Sequence, residues 1–446
     1  MEMNGARVLV VGMKRTGMAA TSLLAKHGAN VRATDLQPLE ALPGAGELLG
    51  RLGIPFEIQS PRVFEGCDTI AISPDVPADL EPLEAARGRG VRVIGDLELA
   101  APLLAGRTIG VTGSNGKTTT TSLIGHILGS SGVAAQVGGN IGMPVCAMVE
   151  TSRAGMWNVL ELSSFQLETV DTFRAQVGVA LNVTQNHLDR HRTMERYAAA
   201  KARLFETQHA GDTAVLNADD GMCAAFASRG PAEARWFSLA TELGSGACIS
   251  GGQVLLDGSP LMSVSDIPIR GRHNVQNAMA AALAASCAGV SRDDIAAAVR
   301  TFRAVEHRLE FVRAVRGVDF YNDSKATSVD ATLKALDAFP GGLWVILGGK
   351  DKGSDYAALR EPLARKAHAA LLIGAAAEKI AGQLRGAVPL VDARTLEGAV
   401  AHAWSRAAAG DTVLLAPACA SFDQFKSFEH RGDAFKELVM ELNPGI

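Results

Sequence analysis

No run of about 20 apolar residues occurs in the 446-residue chain, so no segment is expected to span a membrane. No long basic block occurs either. With 43 basic and 47 acidic side chains the formal charge is −4, and the electrostatic footprint of a nucleic-acid binder is missing. The opening MEMNGARVLVVG passes straight into a strand-like run, without the layout of a secretory leader. Cysteine is scarce and scattered. Cys67, Cys146, Cys223, Cys248, Cys287 and Cys419 form no Cys-x-x-Cys pair, so a zinc site is not expected. Most should be small buried apolar residues, and a reducing cytoplasmic location fits them. Repeats and low-complexity tracts are lacking as well.

What remains is the composition of a globular protein, 47% apolar and 20% charged. The 47 glycines exceed the usual share of about 7% and suit many tight turns between strands and helices. At roughly 150 residues per domain the length predicts about three domains, each able to bury a core without a covalent staple. Short β-rich apolar runs alternate with Ala/Leu-rich helical stretches throughout, which predicts α/β domains with mostly parallel sheets. The expected units are 1–95, 96–305 and 306–446. The Ala-rich stretch 278–300 reads as helix.

The first unit opens with strand Val8–Val11, the turn Gly12-Met13-Lys14-Arg15-Thr16-Gly17, a helix to His27, and strand Asn30–Thr34 ending at Asp35. This is half a dinucleotide fingerprint. Lys14 stands where the middle glycine would let backbone approach a pyrophosphate, so NAD is disfavoured against another nucleotide-type ligand, with a structural turn also open. The second unit carries the strongest local signal. Strand Thr108–Thr112 feeds Gly113-Ser114-Asn115-Gly116-Lys117-Thr118, and a helix begins at Thr119. Such a loop wraps phosphate oxygens with backbone N–H groups, Lys117 would meet the β- and γ-phosphates, and the Thr118 hydroxyl a Mg²⁺ ion. A strict phosphate-loop pattern wants glycine at position 111, which is valine here, so the loop is a variant.

Other candidates follow strand ends, where ligands of α/β sheets bind. Glu161 ends the apolar run Trp157–Leu160 and could hold Mg²⁺, or be a capping or solvated glutamate. His187 follows strand Val177–Leu181 and could be a ligand, a phosphate contact or a surface histidine. Lys201, on a helix over Tyr197–Phe205, reads by pattern alone as solvated. In the third unit, strands near Val318–Tyr321, Leu343–Leu347 and Thr412–Leu415 each release a polar loop at the same end of one sheet. These loops are Asp323-Ser324-Lys325-Ala326-Thr327, Gly348–Gly353 and Pro417–Phe425. Ala369–Ile373 is a further strand there.

Taken together these residues resemble the Mur ligase family over nearly the whole chain and in order. The landmarks are Gly113–Thr118, Gly138-Gly139-Asn140-Ile141-Gly142, Glu161–Leu167, Asn182–Asp189, His273–Asn277, His307-Arg308 and Asn322–Thr327. The runs Ser163–Leu167 and Ala418–Phe428 are similar to the D-glutamate-adding branch, and the Asp-Asn-Pro-Arg run of the diamino-acid-adding members is missing. The resemblance implies a Rossmann-like N-terminal domain, a central P-loop mononucleotide-binding domain and a C-terminal Rossmann-like α/β domain. It implies a cytoplasmic, monomeric ligase that takes ATP, D-glutamate and UDP-N-acetylmuramoyl-L-alanine. Gly113, Ser114, Asn115, Gly116, Lys117, Thr118 and Thr119 would bind ATP phosphates, with Asn277, Arg308 and Asp323 at the adenosine end. Thr118 and Glu161 would hold a first Mg²⁺. His187 and Lys201, the latter as its carbamate, would hold a second. Arg15, Thr16 and Asp35 would hold the uridine end of the substrate, with Asn140 near its diphosphate and His187 alongside. Thr327, Lys352, Ser421, Phe422 and Phe428 would bind D-glutamate.

Two positions depart from the family pattern. Ser73-Pro74-Asp75 replaces Ser-Pro-Gly and would set a carboxylate against a diphosphate, and Lys350-Asp351-Lys352 carries one more basic residue than expected. The rival readings are a sibling Mur ligase, a folylpolyglutamate-synthase-like amide ligase, which lacks a uridine-nucleotide domain, and, from another class, a nucleotide-sensing module or motor-like NTPase. Phosphate release that needs both an acceptor carboxylate and an amino acid separates the ligases from the last class. Lys117→Ala is expected to abolish nucleotide-dependent turnover while circular dichroism and thermal unfolding stay those of the parent, because the lost charge faces phosphate. Near-normal turnover in a folded variant would remove the phosphate-loop assignment.

Overall fold

The computed structural model describes residues 3–303 and 305–443, which form two compact units. The first unit comprises residues up to 264 together with 276–299, and the second comprises 265–275 together with the residues from 300 onward.

The first unit holds two sheets. Strands β1 (Arg7–Val11), β2 (Asn30–Asp35), β3 (Phe56–Ile58), β4 (Thr69–Ile72) and β5 (Arg92–Gly95) form a parallel sheet in the order β3-β2-β1-β4-β5. The order reverses between β1 and β4, so the loops leaving these neighbours diverge and open a crevice at their C-terminal ends. The first helix, Arg15–Lys26, packs tightly onto the loop after β1. A Cβ on Gly17 would fall 1.7 Å from the Gly12 carbonyl oxygen, so no larger residue fits there.

The second sheet has nine strands: β6 (Arg107–Thr112), β7 (Ala135–Gly139), β8 (Trp157–Glu161), β9 (Val177–Ala180), β10 (Thr213–Asn217), β11 (Glu233–Ser238), β12 (Ala247–Ser250), β13 (Gln253–Leu256) and β14 (Ser259–Ser263). Their order is β14-β13-β12-β11-β10-β9-β6-β8-β7, parallel except for β13 and β14. β8 and β9 are buried along their whole length, as strands covered on both faces must be. The second unit holds β15 (Glu310–Val315), β16 (Val318–Asn322), β17 (Leu343–Gly348), β18 (Ala367–Ile373), β19 (Leu390–Arg394) and β20 (Thr412–Leu415) in the order β15-β16-β20-β17-β18-β19. It is parallel apart from its β15 edge. Among the described residues no helix is long and apolar enough to cross a membrane.

The α/β class and the parallel strands follow the sequence reading. The stretch 278–300 does not remain one helix. It divides into Arg272–Cys287 and Arg292–Thr301, because Gly289 turns the chain at φ +93° and Ser291 caps the second helix on the Asp294 N–H. The hairpin strands β13 and β14 and the edge strand β15 were not foreseen either. Short amphipathic strands carry a weaker signal than fully apolar ones.

A buried polar joint follows β5. The helix Asp96–Ala100 sets Asp96, 2% exposed, to accept from Gln166 Nε2 at 3.1 Å. Gln166 itself completes a capping box with Ser163. Glu98 accepts the backbone N–H groups of Asp171, Thr172 and Phe173 at 2.9–3.0 Å. Burial pushes the Asp96 carboxyl up to about 6, against the hydrogen bond from Gln166. Its native pKa lies above its unfolded one, so the folded state binds the proton more tightly. Stability contributed by the protonated form is therefore full below the ordinary value of 3.8 and lost as pH rises through about 6. Asp96→Asn should thus gain on the parent by about 2–3 kcal/mol between pH 4 and pH 8. Thermal melts of both proteins across that range read the difference, and a pH-independent offset would contradict it.

Candidate active site

The loop between β6 and the helix Lys117–Ser130 is clamped from below by the chain that follows β9. The Asn115 N–H donates to Asn182 Oδ1 at 2.9 Å, and Asn182 Nδ2 donates back to the Asn115 carbonyl at 3.1 Å. Ser114 Oγ donates to the Thr184 carbonyl at 2.9 Å and lies 3.0 Å from the Tyr197 hydroxyl. Gly116 adopts φ +84°, and a Cβ there would fall 2.3 Å from Asn277 Oδ1. Glycine is therefore needed twice over, for conformation and for the approach of Asn277. Thr118 and Thr119 are buried at the start of the helix.

Glu161, at the end of β8, is 3% exposed. One carboxylate oxygen accepts from Thr118 Oγ1 at 2.7 Å and the other from Asn140 Nδ2 at 2.9 Å. Lys117 Nζ donates to the carbonyls of Gly113 (2.9 Å) and Ser114 (3.1 Å). Lys201 Nζ donates to the same Gly113 carbonyl at 2.9 Å and sits 4.5 Å from the centre of the Tyr197 ring. Lys201 is 1% exposed, not the solvated residue that pattern alone suggests. Burial, followed by the charge of Lys117, holds its amine well below the ordinary lysine value, with Glu161 acting in the opposite sense. The helix that carries it, Met194–Glu206, begins three residues ahead of the expected start.

His187 is exposed at φ +53°, immediately before the helix Leu188–His191. Its ring packs against Phe165 (4.9 Å between centroids) and lies 6.4 Å from the Tyr197 ring. The loop, Glu161, Asn140, Asn277 and Lys201 are therefore brought together, and Tyr197 links Lys201 to His187. Sequence reasoning passed over Tyr197 and the two-way bond of Asn182. A tyrosine within a helical pattern gives no warning, whereas Asn182 heads a loop already singled out.

At the crevice of the first sheet, Asp35 accepts the N–H groups of Met13 (2.6 Å) and Gln37 (2.9 Å). Arg15 is exposed and Thr16 half-buried in the first turn of the adjoining helix.

In the second unit, Asp323 is buried at the end of β16, and burial pushes its carboxyl up to about 7 against the pull of Arg308. His307 is 4% exposed at φ +62° and lies 3.0 Å from Asn322 Nδ2. Ser421 is buried, Thr327 half-buried and Lys352 exposed. The two phenylalanines differ. Phe428 lies 5.1 Å under Lys325 Nζ and 6.0 Å from the His307 ring, whereas Phe422 is 65% exposed. Arg431, which nothing in the sequence marked, is 1% exposed and joins two of the predicted loops. It donates to Ser324 Oγ (2.9 Å) and to the carbonyls of Ser324 (2.8 Å) and Cys419 (3.2 Å). Burial lowers its pKa to about 10. Asp351 is turned to Lys379 (2.7 Å) and the Tyr356 hydroxyl (2.8 Å), which hold its carboxyl far below the usual range.

Among the described residues no group of three His, Cys, Asp or Glu side chains could by itself hold a metal. Thr118 Oγ1 and Glu161 offer hard oxygen atoms beside the phosphate loop. That set fits Mg²⁺, which keeps several waters and takes phosphate oxygens for the rest.

The family profile described as the Mur ligase middle domain matches residues 111–285, and that described as the Mur ligase, glutamate ligase domain matches 307–419. The UDP-N-acetylmuramoylalanine–D-glutamate ligase of Solibacter usitatus is 69% identical over 444 residues, covering 100% of both chains. The ligase of that name from Acidobacterium capsulatum is 50% identical, covering 99% of this chain and 97% of its own. The solved UDP-N-acetylmuramate-alanine ligase of Thermotoga maritima superposes with a TM-score of 0.61 at 18% identity, covering 98% of this chain and 99% of its own, a likeness of fold.

Proposed function

The chain belongs to the Mur ligase family, and from that premise we propose that it joins D-glutamate to UDP-N-acetylmuramoyl-L-alanine at the expense of ATP, in the making of peptidoglycan precursors. The observation that carries this reading is the full-length 69% identity to a relative of that name, together with a glycine-rich phosphate loop whose helix starts at Lys117.

The chemistry follows from what a carboxylate lacks. It is a poor electrophile. Transfer of the γ-phosphoryl group of ATP to a carboxylate oxygen of the acceptor releases ADP and makes an acyl phosphate. The amine of D-glutamate then attacks the carbonyl carbon, inorganic phosphate leaves with the C–O bond pair, and the amine loses a proton. Phosphoryl transfer is mainly a matter of positioning and charge neutralisation. Lys117, held by two loop carbonyls, suits a terminal phosphate. Mg²⁺ held by Thr118 and Glu161 would supply further neutralisation of the phosphates when bound. Asn277 at the phosphate loop, with Arg308 and Asp323, would take the adenosine end. Arg15, Thr16 and Asp35 would take the uridine end, and Asn140 the diphosphate. Thr327, Lys352, Ser421, Phe422 and Phe428 would take D-glutamate. Domain limits near 95 and 305, a cytoplasmic location and a monomeric state belong to the same reading.

A second Mg²⁺ is assigned to His187 and to Lys201 as its carbamate. An ammonium repels a metal, whereas a neutral amine can take up CO₂ and present two hard oxygens. The depressed pKa of the buried Lys201 amine supports the neutral form.

The test is a panel of UDP-muramoyl acceptors against amino acids, reading phosphate release. Turnover should require both UDP-N-acetylmuramoyl-L-alanine and D-glutamate. Equal turnover with L-glutamate or a diamino acid would refute the specificity. In the same assay Lys352→Ala should raise KM for D-glutamate roughly tenfold or more, from the lost charge-assisted bond, and leave KM for ATP near its parent value. Equal shifts would place Lys352 elsewhere. Lys201→Ala should lose at least about a hundredfold in kcat, on the scale of losing one electrostatic stabiliser, with partial recovery in a small added carboxylate. Activity that is insensitive to the substitution would exclude the carbamate.

A further inference from the structure

Two residues that each look unfavourable for a diphosphate site face one another across the crevice. Lys14 occupies the place where a glycine would admit a pyrophosphate to the backbone, and Asp75 brings a negative charge to the loop after β4. Lys14 Nζ and Asp75 Oδ2 are 3.0 Å apart. They lie on the loops leaving β1 and β4, the neighbours between which the strand order reverses, so the pair spans the mouth of the crevice.

The backbone beneath this pair is fixed. Ser73 Oγ donates to the Gly12 carbonyl at 2.8 Å, tying one loop to the other. Arg190 donates to the carbonyls of Pro74 (2.8 Å) and Val76 (2.9 Å), on either side of Asp75, while also holding Glu168 at 3.1 Å. Lys14 is the residue before the first helix. Both charged side chains are about 70% exposed, so the ion pair adds little to stability and is open to exchange.

We infer that Lys14 is a diphosphate-binding residue of the nucleotide substrate and that Asp75 is its resting counter-ion, displaced when substrate enters. The inference rests on the reading of the first sheet as the site of a UDP-linked substrate. With Asp75 in place the charge of Lys14 is matched. An anion that makes a better bond to Lys14 than one exposed carboxylate can take it over, and a diphosphate, with a second phosphate group to offer the ammonium, meets that condition more fully than a single phosphate. Asp75 then repels whatever does not engage Lys14, which makes the pair a selector for the diphosphate rather than for the nucleoside.

The probes are UDP and UMP, titrated calorimetrically into the full-length chain and into Lys14→Met, Asp75→Asn and the double variant. Thermal unfolding confirms that the exposed substitutions leave the fold unchanged. Lys14→Met should weaken UDP roughly tenfold, as the loss of one charge-assisted phosphate contact does, and change UMP little. Asp75→Asn should tighten UDP, and that gain should vanish in the double variant. Equal losses for UDP and UMP, indifference of UDP to Lys14→Met, or a gain from Asp75→Asn that survives without Lys14 would each overturn the pairing. A parent chain that binds neither nucleotide overturns the substrate reading, and this inference with it. Parent binding that ignores Lys14 overturns the inference alone.

Discussion

The buried carboxylate of Glu161 is the constraint round which the central sheet is organised. A charge at the end of a fully buried strand must be met by donors, because an unpaired one would cost several kcal/mol. Thr118, at the start of the helix after β6, and Asn140, in the turn after β7, meet it. Their bonds fix the phosphate loop and the Gly138–Gly142 turn relative to β8. The same neighbourhood carries Lys117 and Lys201, both on the Gly113 carbonyl.

Much of this was legible in the sequence for one physical reason. Strands buried on both faces read as unbroken apolar runs, and a parallel sheet sends its ligand-binding loops to one end. Trp157–Glu161, Val177–Ala180 and Leu343–Gly348 announce themselves in that way, and each is followed by polar residues that could be named in advance. The departures share a different cause. Gly289 sits in an alanine-rich stretch whose composition is helical on both sides, and that composition outweighed the stop-and-cap signal of Gly289 and Ser291. Tyr197 and Lys201 lie on an amphipathic helix where pattern alone makes a lysine solvated. The Gly113 carbonyl that buries Lys201 is 88 residues away in sequence. Sequence can suggest which residues carry charge. It does not say which of them are desolvated, and desolvation decides their chemistry here.

The second unit solves a related problem with a cation. Arg431 gives its N–H groups to neutral oxygens of the Asp323–Thr327 and Pro417–Phe425 loops, so its planar fork fixes the spacing of both. The arrangement costs desolvation, as the depressed pKa of the guanidinium records, and what it secures is geometry. The opposite edge of the same loop system is held by Tyr356, whose hydroxyl lies 3.0 Å from Cys419 Sγ and donates to Asp351.

The pairing of Asp351 with Lys379 has a kinetic side. Along Lys350-Asp351-Lys352 the signs alternate, and a loop with all three side chains in water would present a mixed field. Because Lys379 neutralises the middle carboxylate, the loop's uncompensated charges are those of Lys350 and Lys352, both exposed. A rim of one sign attracts anions over about a Debye length, roughly 8–10 Å at moderate ionic strength, and so raises their encounter rate without adding a contact. The Asp351–Lys379 pair thereby leaves the field above this loop to its two exposed lysines.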